Sequence, residues 1–197
     1  TNFAADEQVC GLQTGDQLSL EDLLNGLLLY SGNDCAVAIA EHISGSTEAF
    51  VDKMNEEARR LGATRSHFVN PHGLHDEDHY TTAYDLYLIF QACLQDERFV
   101  EMISQSSYTA HLISAAGTPY TMTWEPTNYY SLGEAPVPEG IKVIGGKTGT
   151  TDQAGSCLIL YDQDMQGRPY ISIVMGASQK PILYDNMSRL MEQGIKK

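Results

Sequence analysis

Ile141-Lys142-Val143-Ile144-Gly145-Gly146-Lys147-Thr148-Gly149-Thr150-Thr151 is the stretch around which the chain is organised. Four residues, mostly apolar and β-branched, run into two glycines; a lysine, a hydroxyl, a third glycine and two more hydroxyls follow. β-Branched residues favour a pleated, half-buried backbone. Glycine inside a strand often marks close approach by a ligand or another backbone. With a lysine and three threonines beside that approach, the stretch reads as a strand edge that receives an anionic, peptide-like ligand. A Gly-rich strand bend with solvated polar residues is the alternative if the stretch is taken alone.

A phosphate-binding loop is excluded on spacing. That motif needs a glycine, four residues, then Gly-Lys-Ser/Thr. Gly146-Lys147-Thr148 would need glycine at 141, which is Ile141, and starting from Gly140 puts Gly146 at the lysine position. The lysine of such a loop also opens a helix, whereas Asp152-Gln153-Ala154-Gly155-Ser156-Cys157-Leu158-Ile159-Leu160-Tyr161 reads as a turn and a second strand.

Outward from that strand, composition bounds the chain. The 197 residues suit one domain with a substantial core, and 42% hydrophobic with 19% charged residues are globular values. A net charge of −14 repels phosphate backbones and anionic membrane surfaces, so no nucleic acid or membrane-surface partner is expected. No apolar run reaches membrane-spanning length. Thr1 opens no signal peptide, and the first residues look like mid-domain sequence, which suggests a chain cut at its front. The cysteines, Cys10, Cys35, Cys93 and Cys157, form no CxxC pair. Cys35, Cys93 and Cys157 read as buried small hydrophobes, and disulfide formation is left open.

Before the strand the period is helical. Ser19 with Asp22 makes a capping-box variant, followed by Leu20, Leu23, Leu24, Leu27 and Leu28 at helical spacing up to Tyr30-Ser31-Gly32-Asn33. A buried, Ala-rich helix runs from about Asp34 to Ile43, closed by Gly45, and Ser46 caps a third that stops at Gly62. After a polar loop over 64–80, Thr82 caps a fourth, and a short helix covers 99–103. Strands then take over: a hairpin of 107–113 with 118–124, a loop over 125–140, the strand at 141–150, and 154–161 paired with 169–176 across a turn at 162–167. A last helix spans 182–193. The order predicts an α+β fold in one domain over 1–197: a mainly helical lobe at 19–105, hairpin and loop at 106–135, antiparallel strands and a terminal helix at 136–197.

Two further clusters carry chemistry-bearing residues. Ser31-Gly32-Asn33 joins two buried helices; it reads either as a plain helix–helix turn or as a hydroxyl that relays a proton beside an amide that holds a ligand carbonyl. His67, His72, His75 and His79 crowd one loop with Asp76 and Asp78. Their spacing matches no zinc helix motif, so a solvated or packed loop is expected, with no metal and no cofactor. His42 and His111 read as structural.

Taken together, the Ser-x-Asn turn, the Lys-Thr-Gly strand and the helix-then-sheet order resemble the penicillin-binding and serine β-lactamase superfamily. Leu23–Asp34, Phe68-Val69-Asn70-Pro71-His72-Gly73-Leu74-His75 and Gly146–Gly155 narrow the resemblance to low-molecular-mass serine D-alanyl-D-alanine carboxypeptidases of the S11 type. That resemblance implies a β-lactamase/transpeptidase-like fold in a bacterial, extracytoplasmic, cell-envelope enzyme that trims peptidoglycan stem peptides and is acylated by penicillin. The usual membrane anchor is not in this chain. It implies catalytic roles for Ser31, Asn33 and Lys147, and substrate binding by Thr148, Gly149 and Thr150, with Lys147 and the Thr148 and Thr150 hydroxyls on the carboxylate of D-Ala-D-Ala or of a β-lactam. It also makes the histidine loop a family landmark.

The resemblance fails at one motif. Its Ser-x-x-Lys nucleophile lies upstream of Ser-Gly-Asn, and no lysine here has a serine three residues before it: the positions are Phe50, Glu139, Ile144, Ala177, Gln193 and Gly194. The family's first two sheet strands are missing too. The expectation is therefore a chain with the Ser-Gly-Asn and Lys-Thr-Gly motifs but without the nucleophile, whose sheet edge pairs with an N-terminal segment not in this chain or with a second copy. A non-catalytic module that binds peptidoglycan peptides or β-lactams, and a β-lactamase, are the alternatives.

Overall fold

In the computed structural model, which describes residues 3–4 and 7–196, side-chain caps set most helix starts. Ser19 Oγ accepts from Asp22 N at 3.0 Å, and the Asp22 carboxylate accepts from Ser19 N at 2.9 Å, which starts α1 (Leu20–Asn25). α2 (Asn33–Ser44) stops at Gly45, whose φ of 80° only glycine adopts cheaply. Ser46 caps α3 (Thr47–Arg60) and Thr82 caps α4 (Ala83–Cys93). Asp96 accepts from Arg98 N and starts α5 (Glu97–Ser104) two residues before the expected position.

The strands follow. β1 (Tyr108–Ile113) and β2 (Pro119–Trp124) form their own two-stranded sheet. Its buried face, Ala110, Leu112 and Trp124, packs against Leu12, Leu18 and Tyr30. Tyr108 Oη donates to Asp22 Oδ1 at 2.9 Å, so the cap of α1 also anchors the hairpin. The loop over 125–140 contains a four-residue helix, α6 (Tyr129–Leu132), that the sequence did not signal.

β3 (Ile141–Thr151), β4 (Gly155–Asp164) and β5 (Pro169–Ala177) make an antiparallel meander in the order β3-β4-β5. Helix α7 (Lys180–Gly194) lays Leu183, Tyr184, Met187 and Met191 on Leu158 and Leu160 of β4, with Tyr130, Ala135 and Ile141 closing the cluster. Helices followed by an antiparallel sheet and a C-terminal helix are the α+β arrangement expected. Among the described residues β3 and β5 each have one strand neighbour.

Two readings change. β4 runs on to Asp164 rather than turning at Asp162. Asp164 Oδ1 accepts from Gln166 N and Arg168 N, both at 2.9 Å, so the aspartate organises the turn from the strand's end. Of the three cysteines expected to be buried, Cys35 is, whereas Cys93, on the last residue of α4, and Cys157, near the start of β4, are half-exposed.

Asp162 is the anomaly of this sheet. It is buried in mid-strand, and its Oδ2 has no hydrogen-bond partner among the described residues. Burial pushes its carboxyl up to about 6, against an opposing contribution from Ser172. A carboxyl raised in the folded state stabilises the fold fully below its unfolded value near 3.8, and that contribution is lost as pH rises through about 6. Asp162→Asn should therefore stabilise the protein at pH 7.5 by up to about 3 kcal/mol, an advantage that disappears near pH 4. Urea unfolding at the two pH values measures it; the same difference at both would contradict this account of Asp162.

Candidate active site

The approach to the site is a departure from regular helix. After Asn25 the helix widens into a five-residue π-helical segment, Gly26–Tyr30, and Ser31 then adopts φ 66°, ψ 36°. Ser31 is the one non-glycine with positive φ among the described residues. A left-handed serine costs on the order of 1 kcal/mol or more and persists where its surroundings dictate it. They do so here. Gly32 N donates to Gly26 O at 3.1 Å and Asn33 N to Gln8 O at 2.9 Å. The Asp34 carboxylate accepts from Cys10 N, Gly11 N, Leu12 N and Cys35 N at 2.8–3.0 Å. The turn is thus clamped between the start of α2 and residues 8–12.

The glycines of β3 have different reasons. A Cβ on Gly145 would lie 2.0 Å from Ile103 O, so the strand fits against the end of α5 only without a side chain. A Cβ on Gly146 would lie 2.1 Å from Ile159 O on β4. The strand also bulges at Ile144, between Val143 and Gly145. Gly149 differs: a Cβ there meets nothing within 4 Å, and the residue is exposed on the open edge strand. Asn25, fully buried, accepts from Gln105 Nε2 at 2.9 Å and ties the end of α1 to the end of α5.

These constraints bring Ser31 and Lys147 together across 116 positions. Lys147 Nζ donates to Ser31 Oγ at 2.6 Å and to Thr148 O at 2.8 Å. Although Lys147 as a residue is half-exposed, its ammonium is enclosed by protein, and desolvation lowers its pKa to about 8. Thr148 Oγ1 shares a 2.5 Å hydrogen bond with Thr127 Oγ1. Thr150, paired with Ser156, is exposed at the same end of the strand.

Asn33 is buried at the first position of α2, and no side-chain hydrogen bond joins it to Lys147 among the described residues. Thr127 was missed by the sequence reading; it lies in a loop 21 residues from its partner, with no local signal.

The histidine loop is held by polar contacts. His67 exchanges backbone bonds with Tyr80, and its Nδ1 lies 2.7 Å from Asp78 O. Val69 N donates to His79 Nδ1 at 3.2 Å, while Asn55 pairs with the backbone of Phe68 through Oδ1 and Nδ2 at 2.8 and 2.7 Å. Burial lowers the pKa of both His72 and His79. These histidines pack a loop beside α3.

The sequence pattern of Peptidase S11, D-alanyl-D-alanine carboxypeptidase, matches residues 2–179. The D-alanyl-D-alanine carboxypeptidase DacA of Haemophilus influenzae is 34% identical over 167 residues, covering 84% of this chain and 39% of the relative. DacF of Bacillus subtilis is 34% identical over 167 residues, covering 85% and 40%. The chain thus spans about two fifths of the length of these curated relatives. Among solved structures, the Streptomyces K15 DD-transpeptidase superposes with a TM-score of 0.88 at 30% identity, over 98% of this chain and 73% of that one.

The ammonium environment makes a direct prediction. The Lys147 amine should titrate near pH 8, which ¹³C NMR of labelled lysine measures. A midpoint at the ordinary lysine value near 10.4 would show that the ammonium is solvated and the contact with Ser31 open.

Proposed function

The chain belongs to the D-alanyl-D-alanine carboxypeptidase family, and we propose that it supplies the carboxylate-gripping, proton-relaying side of a serine-type D-Ala-D-Ala carboxypeptidase site. The 2.6 Å contact between Lys147 Nζ and Ser31 Oγ carries this reading. It puts a cation and a hydroxyl in contact beside the open edge of a strand whose next residues are hydroxyl-bearing and uncrowded.

In this reading the extended peptide lies along β3 by strand addition, and its backbone takes the unpaired groups of the edge. Its terminal carboxylate meets the Lys147 ammonium and the Thr148 and Thr150 hydroxyls, a charge-assisted set in a partly desolvated place. Gly149, with no neighbour where its Cβ would be, leaves room for the chain. The Thr150 N–H is one donor to the oxyanion of the tetrahedral intermediate. An amine with a pKa near 8, hydrogen-bonded to a hydroxyl, is suited to pass a proton through Ser31 to the departing D-alanine amine. The Asn33 amide holds a ligand carbonyl. A β-lactam carboxylate takes the same grip. The substrate is the D-Ala-D-Ala stem peptide of peptidoglycan, in the extracytoplasmic envelope of a bacterium.

The acyl-accepting serine and its lysine come, on this proposal, from residues outside these 197, because no Ser-x-x-Lys occurs within them. The same observation favours a second reading for the isolated chain: peptide or β-lactam binding without turnover. The outer edge of β5 is where an added strand, from an N-terminal segment or a second copy, would continue the sheet.

Two measurements test this. A diacetyl-Lys-D-Ala-D-Ala peptide should shift the NMR signals of residues 147–151. Its affinity should fall as pH rises through about 8, because the Lys147 cation is present below that value and lost above it. Lys147→Met should abolish the shifts, and an affinity flat from pH 6.5 to 9.5 would sink the carboxylate assignment. Excess penicillin should leave the intact mass of this chain unchanged; a covalent adduct would place a nucleophile within the chain.

A further inference from the structure

We infer that Cys10 and Cys35 form a redox-closing dithiol that staples residues 8–12 to the Ser31–Asn33 turn. The two sulfurs and an Asp34 carboxylate oxygen all lie within 4.8 Å of one another. Two glycines build the slot that holds the sulfurs. A Cβ on Gly26 would lie 2.7 Å from Cys35 Sγ and 3.1 Å from Cys10 Sγ; one on Gly32 would lie 2.5 Å from Cys10 Sγ and 3.3 Å from Cys35 Sγ. Gly26 opens the π-helical segment and Gly32 follows Ser31, so the sulfur pair sits directly behind the site-forming turn.

The neighbouring carboxylate is not free to be a metal ligand. Asp34 Oδ1 accepts from Cys10 N and Cys35 N, and Oδ2 from Gly11 N and Leu12 N, which occupies both oxygens with backbone amides. That leaves two thiols, the requirement for a disulfide and too few ligands for the four-coordinate sites that zinc prefers. Access exists on one side: a cavity of about 250 Å³, lined by Cys10, Tyr30, Met122, Thr123 and Trp124, reaches the half-buried Cys10. Cys35 is fully buried, as a resolving thiol reached only through its partner. Cys35 beside it, together with burial, pushes the Cys10 thiol up, so Cys10 rests as a protonated thiol and its attack quickens as pH rises.

The oxidant is a small-molecule disulfide. The Cys10 thiolate attacks one sulfur of the oxidant and bonds to it as a mixed disulfide, while the oxidant's other sulfur leaves as a thiolate and takes up a proton. Cys35, on losing its proton, attacks Cys10 Sγ in the mixed disulfide and expels the second thiol. Two thiols become one disulfide, and one disulfide becomes two thiols. The bond, of about 2.05 Å, requires the sulfurs to close from their present separation by turning in the slot. The closed form ties the strand of backbone that Asp34 gathers, and the Gln8 carbonyl that receives Asn33 N, to the turn that presents Ser31.

The test is thiol counting on the native chain after incubation with oxidised glutathione, followed by denaturation and N-ethylmaleimide. The expected result is two adducts, at Cys93 and Cys157, with a peptide containing Cys10 linked to one containing Cys35; reduced protein takes four. Closure should raise the thermal midpoint by roughly 5–10 °C. Cys10→Ser should lose that shift, and Cys35→Ser serves as the second variant. Four adducts after oxidation, glutathione retained on Cys10 without a Cys10–Cys35 link, or a single metal ion held by the pair in native mass spectrometry would each overturn the proposal. Peptide binding at β3 is read independently of all these outcomes.

Discussion

A lysine ammonium held 2.6 Å from a serine hydroxyl, between a helical turn and a strand, is the contact on which the other features of this structure converge. Taking an ammonium out of water is costly, and here its pKa falls to about 8 while it donates to two neutral oxygens, Ser31 Oγ and Thr148 O. Such a group is stable in place only if both of its supports are stiff. The serine support is stiffened by a π-helical widening, a left-handed residue and the Asp34 clamp; the lysine support by a strand packed so closely on α5 and β4 that two successive positions admit no Cβ. The strain at Ser31 and the crowding at Gly145 are two sides of one constraint, the distance between turn and strand.

The same constraint explains why polar groups are spent far from the surface. Asn25, fully buried, bonds Gln105 at the end of α5, the helix end that Gly145 of β3 packs against. Asp22 caps α1 and accepts from Tyr108 of the hairpin. Each of these joins an element that carries Ser31 to one that supports the sheet or its neighbours. Asp162 stands apart. It is buried in the sheet with one oxygen unpartnered among the described residues.

Much of the fold was legible because caps and periods are local. Ser19 with Asp22, Ser46, Thr82, Gly45 and Gly62 marked helix limits within a few residues, and the two strands around Ala116-Gly117 paired as read. The cap at Asp96 was readable and was overlooked. The π-helical segment and the φ of Ser31 had no such signal, because leucine periodicity is nearly the same in an α-helix and in one wide turn, and serine is a common turn residue in any case. The motif residues at 31 and 147 could be named from the pattern they share with a family; that they touch could not, since 116 positions separate them. Thr127 beside Thr148, and Cys10 beside Cys35 and Asp34, are tertiary coincidences of the same kind.

The contact itself is most directly tested by a double-mutant cycle on unfolding free energy, with Ser31→Ala, Lys147→Met and the pair, at pH 7. If the hydroxyl and the enclosed ammonium depend on each other, the two losses are coupled by about 0.5–3 kcal/mol. Losses that add within about 0.3 kcal/mol would mean that turn and strand are held independently, and that the Ser31–Lys147 contact does not organise the site.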